Sequence, residues 1–111
     1  MSEQQTYLKQ LQKSLEDIQA IDVVVINVRG HTSVTDYMII CSGRSSRHVK
    51  AIAETVAKEM KAIGLNALSL TGLEGGDWVL LDFGDFVLHI LQPESRGFYN
   101  LEGLWQELSA S

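Results

Sequence analysis

A mixed α/β architecture of the α+β kind, a sheet of about five strands flanked by helices, is what this sequence predicts. Three observations carry it. Two long stretches repeat their apolar residues every three or four positions, as helices do. Others are β-branched or alternate with period two, as strands do. The most apolar stretch, Trp78 to Leu91, is divided by Gly84-Asp85 and so folds back on itself.

Taken in order, Thr6 to Ala20 places Leu8, Leu11, Leu15 and Ile18 at helical spacing among Gln, Lys and Glu. This is an amphipathic helix with a narrow stripe, suited to packing on a sheet. The period changes at Asp22. Val23-Val24-Val25-Ile26, bounded by Asn27 and Gly30, reads as a strand buried on both faces. After a turn over Arg29 to Ser33, Tyr37 to Cys41 forms a second strand ending at Ser42-Gly43, and the short link makes the pair antiparallel. Ser45 or Ser46 caps the next helix, where Val49, Ile52, Val56, Met60 and Ile63 recur until Gly64 stops it. Lys50, Glu54, Lys58 and Lys61 form its solvated outer face.

Leu65 to Leu70 reads as a third strand, closed by Thr71-Gly72. In the hairpin that follows, a two-residue type II′ turn at Gly84-Asp85 sets Phe83 opposite Phe86, Leu81 opposite Leu88 and Val79 opposite Ile90. That side of the ribbon is apolar throughout and belongs to the core. The other side carries Trp78, Leu80, Asp82, Val87, His89 and Leu91, too oily for solvent and too polar for an undisturbed interior. Either the protein's own helices cover it or another macromolecule docks there, and Trp with a few polar groups suits docking. Beyond Pro93 a turn holds Arg96-Gly97-Phe98-Tyr99, and Asn100 caps a last helix carrying Leu101, Leu104, Trp105 and Leu108.

The composition narrows the function classes. With 111 residues, 45% of them apolar, one proline and no repeat or low-complexity tract, residues 1–111 read as a single domain. A formal net charge of -5 disfavours the broad basic face of a non-specific nucleic-acid binder and leaves a basic protein partner open. No apolar run approaches the roughly 20 residues that span a bilayer, and the N-terminus is polar, so the expected location is cytoplasmic with no membrane partner. Cys41 has no second cysteine to pair with, and together with His31, His48 and His89 it lacks any close-spaced metal-ligand pair. Neither a structural metal nor a cofactor is expected.

Three segments invite a chemical reading. Ser42 to His48 runs from a strand end into a helix start, where backbone N–H groups and arginines suit an anion, although a plain cap explains the same residues. Asp36, after Gly30 and Thr32-Ser33, has the layout of a nucleotidyltransferase site, but the alternate carboxylate such a site needs is replaced by Met38. Asp82 and His89 are diagonal neighbours on one hairpin face, within reach of an acid/base pair, yet no nucleophile lies nearby.

Four stretches together resemble the ribosomal silencing factor family, also called iojap-like or RsfS. They are Thr35 to Ile40; Ser42 to Val49; Trp78 to Asp85 with His89; and Arg96 through Tyr99-Asn100-Leu101-Glu102-Gly103-Leu104-Trp105. Two positions depart from the family pattern: Thr71 stands where Glu is usual, and Phe86 where an aliphatic residue is common. The resemblance implies a nucleotidyltransferase-like fold without a catalytic site, and hence no enzyme and no cofactor. It also implies a protein that binds the large ribosomal subunit through its fourteenth protein and sterically blocks joining of the small subunit, damping translation when nutrients are short. On that reading Trp78, Leu80 and His89 form an apolar patch, and Asp82 and Glu102 meet basic side chains of the partner. Arg96 braces the hairpin face or reaches ribosomal RNA. Tyr99 and Trp105 join the same interface, with core packing of the last helix the alternative for Trp105. The rival reading is a magnesium-dependent nucleotide-binding enzyme using Asp36. A third, blander reading is a homodimer of the free protein that uses this face on itself.

Overall fold

The two hydrophobic periods of the chain become two layers. A computed structural model describes residues 3–30 and 35–99. Helix α1 (Glu3–Asp17) leads to strands β1 (Ile21–Asn27) and β2 (Tyr37–Ser42), then helix α2 (Ser46–Ala62), strands β3 (Ser69–Thr71), β4 (Trp78–Asp82) and β5 (Phe86–Leu91), and a short helix α3 (Pro93–Tyr99). The five strands form one mixed sheet in the order β1-β2-β5-β4-β3, antiparallel except for the β2–β5 pair. The α+β expectation is met.

Both long helices end in the same device. Gln19 (φ 59°) leaves the helical region, with its N–H donating to the Glu16 carbonyl and that of Ala20 to the Leu15 carbonyl. Gly64 (φ 100°) does likewise, with Gly64 N–H donating to Lys61 and Leu65 N–H to Met60. Each pattern is a Schellman cap, which satisfies carbonyls that would otherwise end the helix unpaired. The first helix therefore stops at Asp17, short of the expected Ala20. Of the two serines offered as caps for α2, Ser45 serves: its Oγ accepts the N–H of His48 at 3.2 Å.

α1 and α2 lie on one sheet face. Leu11 and Leu15 of α1, and Val49, Ile52, Val56 and Met60 of α2, meet Ile39, Cys41, Val79, Leu81, Leu88 and Ile90 in one buried cluster. On the opposite face Ile26, Val28, Met38, Ile40 and Leu91 make a smaller one, with Val24 and Trp78 partly buried against it. A fully buried aliphatic side chain contributes roughly 1.5–3 kcal/mol. β2 and β5, buried on both faces, are therefore the strands that hold the sheet together.

Three expectations are corrected here. The β-branched run at 23–26 is not buried on both faces: β1 is an edge strand, paired only with β2, and Val23 is 37% exposed. Its register shifts between Ile21 and Val24, where Asp22 adopts φ 50°. A β-branched run shows that a segment is extended, and only sheet order shows whether neighbours flank it. The third strand is Ser69–Thr71 and not 65–70, because Leu65 is used in the cap of α2 and Leu68 stands 72% exposed. The turn expected at Arg96 to Tyr99 is instead part of α3, which begins at Pro93. Proline has no N–H to lose in the first turn of a helix, and here it opens one. The helix expected from Asn100 onward lies outside the described residues.

Candidate functional site

The hairpin has the register read from its alternation: Val79 pairs with Ile90, Leu81 with Leu88, and Phe83 N–H donates to the Phe86 carbonyl. At its turn Gly84 has φ 91° and Asp85 is not in the positive-φ region, as type II′ requires and type I′ does not. Asp82 closes the turn, its Oδ1 accepting the Gly84 N–H at 2.8 Å. On β4 the core side chains Val79 and Leu81 are wholly buried, while Trp78, Leu80 and Asp82 on the other side are half-buried. On β5 the corresponding residues are covered: Val87 and His89 are each 6% exposed and Leu91 is at zero. The second side of the ribbon, read as wanting a partner throughout, presents only its β4 half. β5 lies between β2 and β4, so its side chains are flanked from both directions.

The start of β4 is held from three sides. Gln92 donates from Nε2 to the Gly76 carbonyl (3.0 Å) and Asp77 Oδ1 (3.1 Å), and its N–H donates to the Asp77 carbonyl (3.0 Å). Gly72 (φ 90°) packs so closely that a Cβ there would lie 2.2 Å from the Trp78 carbonyl oxygen. The third restraint is the indole itself: Trp78 Nε1 donates to His89 Nδ1 at 3.0 Å, with ring centroids 5.8 Å apart and planes at 46°. Trp78 and His89 are diagonal neighbours, since Trp78 opposes Leu91 and Leu80 opposes His89. Burial pushes the His89 pKa down to about 4, so near neutral pH the ring is uncharged, with Nδ1 accepting and the proton on Nε2.

His89 thus binds the other diagonal neighbour from the one the acid/base reading required. Asp82 is turned to the Gly84 N–H, His89 to Trp78, and the Asp82–His89 pair is not formed. Sheet twist brings one diagonal nearer than the other, and the strand pattern alone does not show which.

Arg96 lies on α3. Its guanidinium donates to the Ile21 carbonyl (3.2 Å), the Asp22 carbonyl (2.6 Å) and Ser42 Oγ (3.1 Å), tying α3 to the irregular start of β1 and the end of β2. Tyr99 closes α3, and its side chain, like Glu102 and Trp105 entirely, lies outside the described part. At the α2 N-terminus His48 folds back, with Nδ1 accepting the Arg44 N–H (2.9 Å) and Nε2 bonding the Ile18 carbonyl (2.9 Å), an internal cap that takes up one of the N–H groups of this segment. Asp36 Oδ2 accepts from Gln4 Nε2 at 2.7 Å and lies 3.8 Å from Arg29 Nε, while Arg29 also bonds Gln4 Oε1 and stacks over Tyr37. Among the described residues no three His, Cys, Asp or Glu side chains converge on a metal position. Met38, where a second carboxylate would stand, is buried between Ile26 and Val87. No described helix is long and apolar enough to cross a membrane.

The sequence shows neither the Gln92 clamp, nor the close approach of Gly72 to Trp78, nor the Trp78–His89 bond. Gln92 acts chiefly through its side-chain amide and Gly72 through a close main-chain approach, and neither leaves a motif. The third was signalled by two polar-tipped rings on one face, a signal the carboxylate at position 82 obscured.

This architecture is shared with a crystal structure of a protein from Chromobacterium violaceum, at a TM-score of 0.91 and 37% identity, over 95% of this chain and 88% of that one. The class is therefore that of the small mixed-sheet proteins to which it belongs. The whole of residues 1–111 matches the family model described as "Ribosomal silencing factor during starvation", and the chain belongs to that family. A ribosomal silencing factor of Zymomonas mobilis is 47% identical over 98 residues, covering 88% of this chain and 74% of its own. A mouse protein named for mitochondrial assembly of the ribosomal large subunit is 37% identical over 89 residues, 78% of this chain and 39% of its own.

Proposed function

We propose that the chain represses translation without catalysis, by docking the outer face of β4 on the fourteenth protein of the large ribosomal subunit and so obstructing the approach of the small one. The observation that carries this reading is Trp78, half-buried beside Leu80 and Asp82 on a strand whose main chain is clamped on both sides. A rigid aromatic among apolar and acidic neighbours is the composition of an interface centre. Among the described residues no ion pair is made to Asp82, which leaves its carboxylate for a basic side chain of the partner. An overall charge of -5 favours a basic ribosomal protein over RNA as the main contact. The names of the relatives, one of them tied to the large subunit, support the same target. Glu102, Tyr99 and Trp105 extend the interface in this reading, whereas Arg96 acts inside the fold.

Sucrose-gradient cosedimentation with separated subunits tests it, followed by subunit joining in the presence of the protein. Migration with large subunits, failure of joining, and loss of both on combining Trp78→Ala with Glu102→Lys are expected. A double variant that still sediments with large subunits would remove this face from the interface.

A further inference from the structure

We propose that His89 is a positioning residue for the docking face: its Nδ1 holds the Trp78 indole N–H inward, so that the ring offers its carbon edge and face, and not its N–H, to the partner. The inference rests on the docking reading above and adds what sets the orientation of its central side chain.

Three observations lead to it. The bond is 3.0 Å long and joins a half-buried ring to one that is 6% exposed, so one end is anchored inside the sheet and the other stands at the surface. The main chain at Trp78 is already fixed by the β4–β5 pairing, the Gln92 clamp and the close approach of Gly72, which leaves the two side-chain torsions as its principal freedom. Finally, turning the indole away would strand a buried acceptor in a site that water scarcely reaches, and such unmet acceptors are disfavoured. A ring pre-set in its bound orientation has little rotamer freedom left to lose on docking.

Losing the pre-set orientation of one aromatic side chain should weaken binding about three- to ten-fold. The test pairs His89→Leu, which has no acceptor, with His89→Gln, whose side-chain carbonyl can replace Nδ1. Both are cosedimented with purified bacterial large ribosomal subunits, and the Trp78 indole resonance is followed in ¹H–¹⁵N spectra. The expected result is weakened binding and a displaced indole resonance for His89→Leu, with both restored toward wild type in His89→Gln. Wild-type binding by a folded His89→Leu variant would overturn the proposal, as would equal loss in both variants with the resonance unmoved. Should His89→Leu fail to fold, Trp78→Phe, which keeps a ring and removes the N–H, is combined with His89→Phe, which keeps a ring and removes the acceptor. Coupling between the two substitutions supports the proposal and additivity refutes it. A wild-type chain that does not sediment with large subunits would overturn the docking reading instead, while an indole resonance that still depends on position 89 would show the positioning intact.

Discussion

Acidification should cost this protein stability through His89, by an amount the site itself sets. Burial lowers the His89 pKa from the ordinary 6.5 to about 4. Between those values the unfolded chain binds a proton that the folded chain does not, so stability contributed by the neutral ring is fully present above 6.5. It is lost as pH falls toward 4 and changes no further below that. The full difference is on the order of 3 kcal/mol, of which about 2 kcal/mol is lost by pH 5. That is a large share of the stability of a small domain. The proton also removes the acceptor for the Trp78 N–H, so unfolding and disorder of the docking face are coupled. Urea denaturation followed by circular dichroism at pH 7.5 and pH 5, for wild type and His89→Gln, isolates the effect: carboxylates titrate in both proteins and only one has an imidazole at position 89. Wild type should lose about 2 kcal/mol more than the variant over this interval. Parallel losses would refute the argument and mean that His89 accepts its proton in the folded state without penalty.

Arg96→Met should lower stability by about 3 kcal/mol, since it removes charge-assisted bonds to two carbonyls at the irregular start of β1 and to the buried Ser42 hydroxyl, and the denaturation midpoint measures it. Gly72→Ala should cost at least about 2 kcal/mol, because the new Cβ meets both a positive φ and the Trp78 carbonyl; an unchanged thermal midpoint would contradict that geometry. Burial pushes the Cys41 thiol up to about 12, against a smaller opposing pull from Arg96, so in the native protein it should resist a disulfide reagent at pH 8 and react stoichiometrically once urea is added.

Local pattern determined much of this protein. Helical spacing placed α2, with Val49 to Met60 inward, and the alternation around Gly84-Asp85 set the hairpin register, because both are periodicities carried by neighbouring residues. The residues of the β4 face were legible for the same reason. Sheet order was not: only the packed structure made β1 an edge and placed β5 between β2 and β4, and that order covers His89 while leaving Trp78 half-exposed. Nor did position in the chain show that Arg96 would reach back to Ile21 and Asp22, or that His89 would bond Trp78 and not Asp82. Sequence periodicity tells which way a side chain points along its own strand. What lies on the other side depends on contacts between residues far apart in the chain, which only the closed sheet brings together.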